Sequence, residues 1–210
     1  MNTAVKKLSS EELKSITVNS IRKMKAFAAE EERKIQEAEA KNEIYVPAES
    51  AMFFAVRIRS SNRAAPAIVS ALETLRLKKL NTGIFVVNNK STKALLHQVR
   101  SYVAYGSLSL EQTREMLYKK GLCRVNGTRA NITQEVLYEQ FGGEISTVEE
   151  IVEAFYFGKP NASAINKFLW PFRLSCPIKG FGGRKIRDFT EGGATGDHGS
   201  HIGNLVLRMI

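Results

Sequence analysis

Between residues 54 and 102 the apolar pattern of the chain switches back and forth between two periods, and this limits the folds open to it. Phe54, Val56 and Ile58 fall on one side of an extended segment, with Ala55, Arg57 and Arg59 on the other. That alternation predicts a strand with one face on a core and one basic face. Pro66 suits the first turn of a helix, and Ile68, Leu72 and Leu75 follow at i, i+4, i+7 spacing. Asn81-Thr82-Gly83 turns the chain into Ile84-Phe85-Val86-Val87, which reads as a second, more buried strand. Ser91 or Thr92 then caps a helix that carries Leu95, Val99 and Tyr102 on one face. Residues 102–106 either end that helix or form a third strand. The order strand, helix, strand, helix predicts an α+β sandwich with helices on one face of a small sheet.

The flanks read differently. Ser9-Ser10-Glu11-Glu12 has the form of a capping box, predicting a long helix to about residue 42 with a thin stripe of Leu13, Ile16, Met24 and Phe27. Such a helix is either a solvated arm or lies on a partner. Tyr45-Val46-Pro47-Ala48-Glu49 breaks it. Downstream, Ser109-Leu110-Glu111-Gln112 is a second capping box, with Gly121 as the stop. Asn126-Gly127 centres a hairpin over Cys123–Arg129. Short helices near 134–141 and 147–157 each end at glycine, and the glycine-rich basic tail from Lys179 reads as irregular as far as the apolar run Ile202–Ile210.

Charge indicates what this surface attracts. The 31 Lys and Arg exceed the 21 Asp and Glu, giving +10 and a pI near 9.7. Residues 1–50 are neutral, 51–130 carry +11, 131–157 carry −6 and 158–210 carry +5. A field of that size attracts polyanions, and the acidic stretch is expected to face away from them. Phosphate contact needs cations near a backbone more than it needs fixed spacing. The candidate nucleic-acid-binding residues are Arg57, Arg59, Arg63, Arg76, Lys78, Lys79, Lys90, Lys93, Arg100, Lys119, Lys120, Arg124 and Arg129, with Lys179, Arg184, Lys185 and Arg187 in the tail. Phe181, Phe189 and Trp170 read as packing residues before stacking platforms.

Other chemistries find less support. Cys123 and Cys176 form no C-x-x-C pair and no disulfide framework. His198-x-x-His201 beside Asp197 could hold a metal, but no further ligands stand at a known spacing. Lys179–Lys185 matches no phosphate-binding loop signature. The N-terminus shows no signal-peptide core, no run approaches the roughly 18 apolar residues of a membrane span, and no basic amphipathic helix stands out. A soluble, intracellular protein without membrane partner or small-molecule substrate is expected.

Two stretches carry a family resemblance. Leu75-Arg76-Leu77-Lys78-Lys79-Leu80-Asn81-Thr82, followed by Ile84, Leu95-Leu96, Val99 and Tyr102-Val103, resembles the signature of the large-subunit ribosomal protein family called L-thirty in bacteria and L-seven in eukaryotes. Phe168-Leu169-Trp170-Pro171-Phe172-Arg173-Leu174, Glu191-Gly192-Gly193-Ala194-Thr195-Gly196 and the Tyr45–Glu49 segment are similar to its eukaryotic branch. The resemblance implies a ferredoxin-like β-α-β-α-β core packed on large-subunit rRNA, close to 5S rRNA in archaeal and eukaryotic members. It also implies neither cofactor nor catalysis. The corresponding division is an N-terminal helical arm over 1–44, an rRNA-binding core over 45–106 and a helical insertion with basic glycine-rich extension over 107–210. Eukaryotic relatives tend to carry a basic N-terminal arm, whereas residues 1–50 here are neutral, which favours a neighbouring ribosomal protein for this helix. The functional expectation is a structural constituent of the large subunit, supporting its assembly and translation. It would reside in cytoplasmic ribosomes, with nucleolar transit if the source is eukaryotic. The alternative is a free-standing RNA chaperone or RNA-processing factor.

Overall fold

The structure, a computed structural model, describes residues 9–45 and 49–210. In chain order its elements are α1 (Ser10–Ala40), β1 (Met52–Arg57), α2 (Pro66–Thr74), β2 (Thr82–Val87), α3 (Lys90–Gln98), β3 (Val103–Gly106), α4 (Leu110–Lys120), β4 (Leu122–Val125), β5 (Thr128–Asn131), α5 (Gln134–Phe141), α6 (Val148–Phe157), α7 (Ala162–Phe168), β6 (Phe172–Arg173), β7 (Arg184–Asp188), β8 (Gly193–Gly199) and α8 (Ile202–Leu207). They fall into two compact units. One contains α1 and Thr133–Glu153, and the other comprises Ser50–Ile132 and Ala154–Ile210.

In the larger unit a six-stranded sheet runs in the order β6-β2-β1-β3-β8-β7. β1 lies antiparallel to both β2 and β3, with Phe54 opposite Phe85 on one side and Gly106 on the other. Of residues 102–106, Val103–Gly106 thus form a strand. Ala55, Ile84, Val86 and Val103 of the sheet share one buried cluster with Ala71, Leu72 and Leu75 and with Leu96 and Val99, which places α2 and α3 on the same face. This is the α+β core that the alternating periods predict.

The expectation of a basic second face on β1 is not met. Every residue of β1 except half-exposed Phe53 is buried, Arg57 included. The reason is that both faces are covered: Ala55 and Arg57 lie beneath α2, α3 and the turn after α2, and the C-terminal half of the chain covers the Phe54 face. Phe54 meets Phe85 at 4.9 Å and Phe172 at 6.0 Å between ring centroids, and Phe155 stacks on Phe85 at 4.5 Å. Burying a large apolar side chain contributes about 1.5–3 kcal/mol, so this aromatic layer is a principal anchor for the extension. β6 adds to the sheet edge with Thr82 opposite Arg173.

The tail is more ordered than its glycine content suggests. β8 pairs parallel with β3, β7 joins β8 in an irregular register, and a turn of 3-10 helix over Phe189–Glu191 links them. Glycine supplies what the close packing requires there: a Cβ on Gly106 would lie 2.1 Å from the Gly199 carbonyl oxygen. Local signals elsewhere act as read. The turn of the β4–β5 hairpin has Asn126 and Gly127 at φ 48° and 80°, the left-handed pair of a type I′ turn. Ser109 and Gln112 cap α4 reciprocally. The α3 cap differs from expectation. Asn89 occupies it, because Thr92 is already the third helical residue and its hydroxyl accepts from the Asn89 amide at 3.0 Å.

In the smaller unit, Ser9 and Glu12 form the capping box of α1. Only Ser20 and Met24 of α1 are buried. Ser20 Oγ donates to Glu153 at 3.2 Å, and Lys23 stands 3.9 Å from the same carboxylate. Glu150 accepts from the amides of Ser146 and Thr147 at the start of α6. The acidic stretch therefore spends part of its charge within the chain. The helix stops at Ala40, ahead of Pro47, which lies with its neighbours 46 and 48 outside the described residues.

Candidate nucleic-acid interface

A strongly cationic concavity forms where α2 ends. Leu77 N–H reaches back to the Leu72 carbonyl at 2.8 Å and Arg76 N–H to that of Glu73 at 2.9 Å, the paired bonds of a Schellman stop. Glycine usually fills the left-handed position of this motif, but here Arg76 holds φ 58°. The strain of a non-glycine residue there, about 1–2 kcal/mol, is offset by its side chain. The guanidinium donates to the carbonyls of Asn166 at 2.7 Å and Leu169 at 2.8 Å. The next residue, Trp170, gives its amide to the Leu122 carbonyl, and Cys123 bridges to Leu169. One segment thus fixes both Arg76 and the β4–β5 hairpin, and the hairpin brings Arg124 and Arg129 to the same place.

The resulting cleft holds about 440 Å³ and is lined by Arg76, Lys78, Lys79, Thr82, Arg124, Arg129, Trp170, Pro171 and Arg173. Six of these nine residues are cationic, and among the described residues no carboxylate lines it. Burial and then the charge of Arg124 push the Arg76 guanidinium below its usual range, as expected where cations crowd without counter-charge. Arg129 sits over the Trp170 ring at 4.9 Å. Phosphates are what such a wall neutralises most readily.

The other candidate cations are placed differently. Arg57 is only 6% exposed and does not face solvent. Its guanidinium donates to the carbonyls of Arg59, Leu77 and Lys78 and to Ser61 Oγ at 2.6–3.0 Å, so it is a structural clamp. Arg59 donates to the Ser101 carbonyl and lies over Tyr102. Arg100 forms a two-pronged pair with Asp188, and Lys119 pairs with Glu115. Lys185 rests over Phe181 at 4.4 Å. Arg63, Lys90, Lys93, Lys179, Arg184 and Arg187 are exposed and Lys120 is half-exposed, all outside the cleft. Arg173 escaped the sequence reading. Its signal was the alternation inside Pro171-Phe172-Arg173, which turns Phe172 inward and Arg173 outward.

The alternative sites gain nothing. Among the described residues no group of three His, Cys, Asp or Glu could hold a metal. His198 is buried, stacks on Phe189 at 4.1 Å and contacts the Ala194 carbonyl at 3.0 Å. Both cysteines are free thiols, and no described helix is long and apolar enough to cross a membrane.

A small antiparallel-centred sheet, with α2 and α3 on one face and a mainly cationic cleft at its edge, defines an α+β protein with a strongly basic concave surface. Comparison with known sequences narrows that class. The family model described as Ribosomal protein L30p/L7e matches residues 53–103. The large ribosomal subunit protein uL30 of Encephalitozoon cuniculi is 39% identical over 183 residues, covering 86% of this chain and 77% of that protein. The uL30B protein of Schizosaccharomyces pombe is 37% identical, covering 83% and 71%, and uL30 of Caenorhabditis elegans is 38% identical, covering 83% and 72%. The chain belongs to the ribosomal protein L30p/L7e family.

Proposed function

We propose that this chain is a structural constituent of the large ribosomal subunit, where it binds and stabilises folded rRNA without catalysing a reaction. Family membership supports the ribosomal role, and the cleft lined by six cations carries the choice of contact surface. Folded RNA is recognised through shape, phosphates and 2′-hydroxyls, which a mixed Arg and Lys wall suits. Within this reading, residues 45–106 supply the rRNA-binding core and 107–210 complete its surface. The exposed cations outside the cleft, notably Arg63, Lys90, Lys93, Lys179, Arg184 and Arg187, and the half-exposed Lys120 add long-range attraction. Contact with 5S rRNA, a protein neighbour along α1, and nucleolar transit before residence in cytoplasmic ribosomes belong to the same proposal.

The test reverses charge at exposed cleft positions only. Lys78 and Lys79 are exposed, as is Arg173, whereas Arg76 holds two carbonyls and its replacement would disturb the fold. The triple variant Lys78→Glu, Lys79→Glu, Arg173→Glu should keep its thermal unfolding transition and fail to enter large subunits. Normal incorporation of the folded variant would remove this cleft from the rRNA contact.

A further inference from the structure

We propose that the cleft beside Trp170 takes a single unpaired nucleotide of RNA, with the base stacked on the Arg129–Trp170 pair and the flanking phosphates held by the surrounding cations. This rests on the RNA-binding reading above and assigns it a subsite. Three observations carry it.

The cleft is concave rather than flat, and its volume of about 440 Å³ falls in the range of small-ligand sites, roughly 300–1,000 Å³. A groove serving only the outside of a duplex needs no such depth. Next, the one tryptophan of the chain lines it half-exposed instead of joining the aromatic layer around Phe54 and Phe85. Finally, the exposed Arg129 guanidinium lies over that ring at 4.9 Å. An arginine backed by an indole is a stacking platform for a nucleobase, because both groups are planar and every base offers a π-face. The adjacent cations, Lys78, Lys79, Arg124 and Arg173, then meet the phosphates on either side of the extruded base. A paired base within a helix cannot present its face to this platform, so an unpaired one is selected.

The experiment uses the full chain and two labelled RNA hairpins, one with a single bulged adenosine and one with the bulge removed, compared by fluorescence anisotropy at low salt. Stacking of one base corresponds to roughly 5–150-fold in affinity. The bulged hairpin should bind about ten-fold tighter and alter Trp170 emission. Arg129→Lys keeps the charge but loses the plane, so it should bring the affinity ratio close to one, with circular dichroism confirming that the variant is folded. Equal affinity for both hairpins overturns the base subsite while leaving the phosphate-binding reading intact. A bulge preference that survives Arg129→Lys also overturns it. Failure to bind either RNA contradicts both readings.

Discussion

Arg57 and Arg129 show how little a residue's type says about its use. Both stand in segments that the sequence marks as basic, yet Arg57 is buried among carbonyls and Arg129 is exposed over Trp170. The alternation of β1 gives the direction of the Arg57 side chain but not what lies in that direction. The turn after α2, which supplies the Leu77 and Lys78 carbonyls, becomes its neighbour only in three dimensions. Arg57→Ala leaves those acceptors unpaired in the interior and should cost about 2 kcal/mol or more of stability. Urea denaturation of the variant measures this, and an unchanged midpoint would contradict the clamp. His198 supplies a second test. Burial holds its imidazole below the ordinary value, so the folded state prefers the neutral ring. A depressed folded value means that stability is fully present above the unfolded value, about 6.5, and is lost as pH falls below it. The melting temperature should therefore drop between pH 7 and 5, and His198→Asn should reduce that drop.

Elements with strong local chemistry were legible in the sequence. The capping boxes of α1 and α4, Pro66 opening α2 and the Asn-Gly turn each rest on a few adjacent residues that satisfy one another. The elements that were not legible depend on distant partners. β7 and β8 are rich in glycine and charge and become strands because β3 presents an open edge. α7 and the two-residue β6 exist because β2 offers an edge and an apolar face. Gly83 in β2 expresses the same dependence, since a Cβ there would lie 2.4 Å from Phe54 Cζ. Gly83→Ala must displace a fully buried ring and should destabilise the protein by about 1–3 kcal/mol. Calorimetry on the purified variant tests this, and wild-type stability would show that the aromatic layer yields more readily than its packing implies.

Across the whole molecule, the segment charges located the cationic region before any geometry was known. Residues 51–130 hold the +11 excess and supply five of the six cleft cations, and the extension supplies Arg173. What no linear reading could give is the convergence itself, since residues 76–79, the 122–131 hairpin and 169–173 are joined through Leu169 and Trp170. The smaller unit contributes differently, with α1 nearly neutral and lightly buried. The central claim is that these features serve a ribosomal subunit, and sucrose-gradient fractionation of a cell lysate followed by a high-salt wash tests it most directly. The account predicts stoichiometric co-sedimentation with the large subunit that survives the wash. Recovery of the protein mainly in light fractions would contradict it and favour an RNA-binding protein acting outside the ribosome.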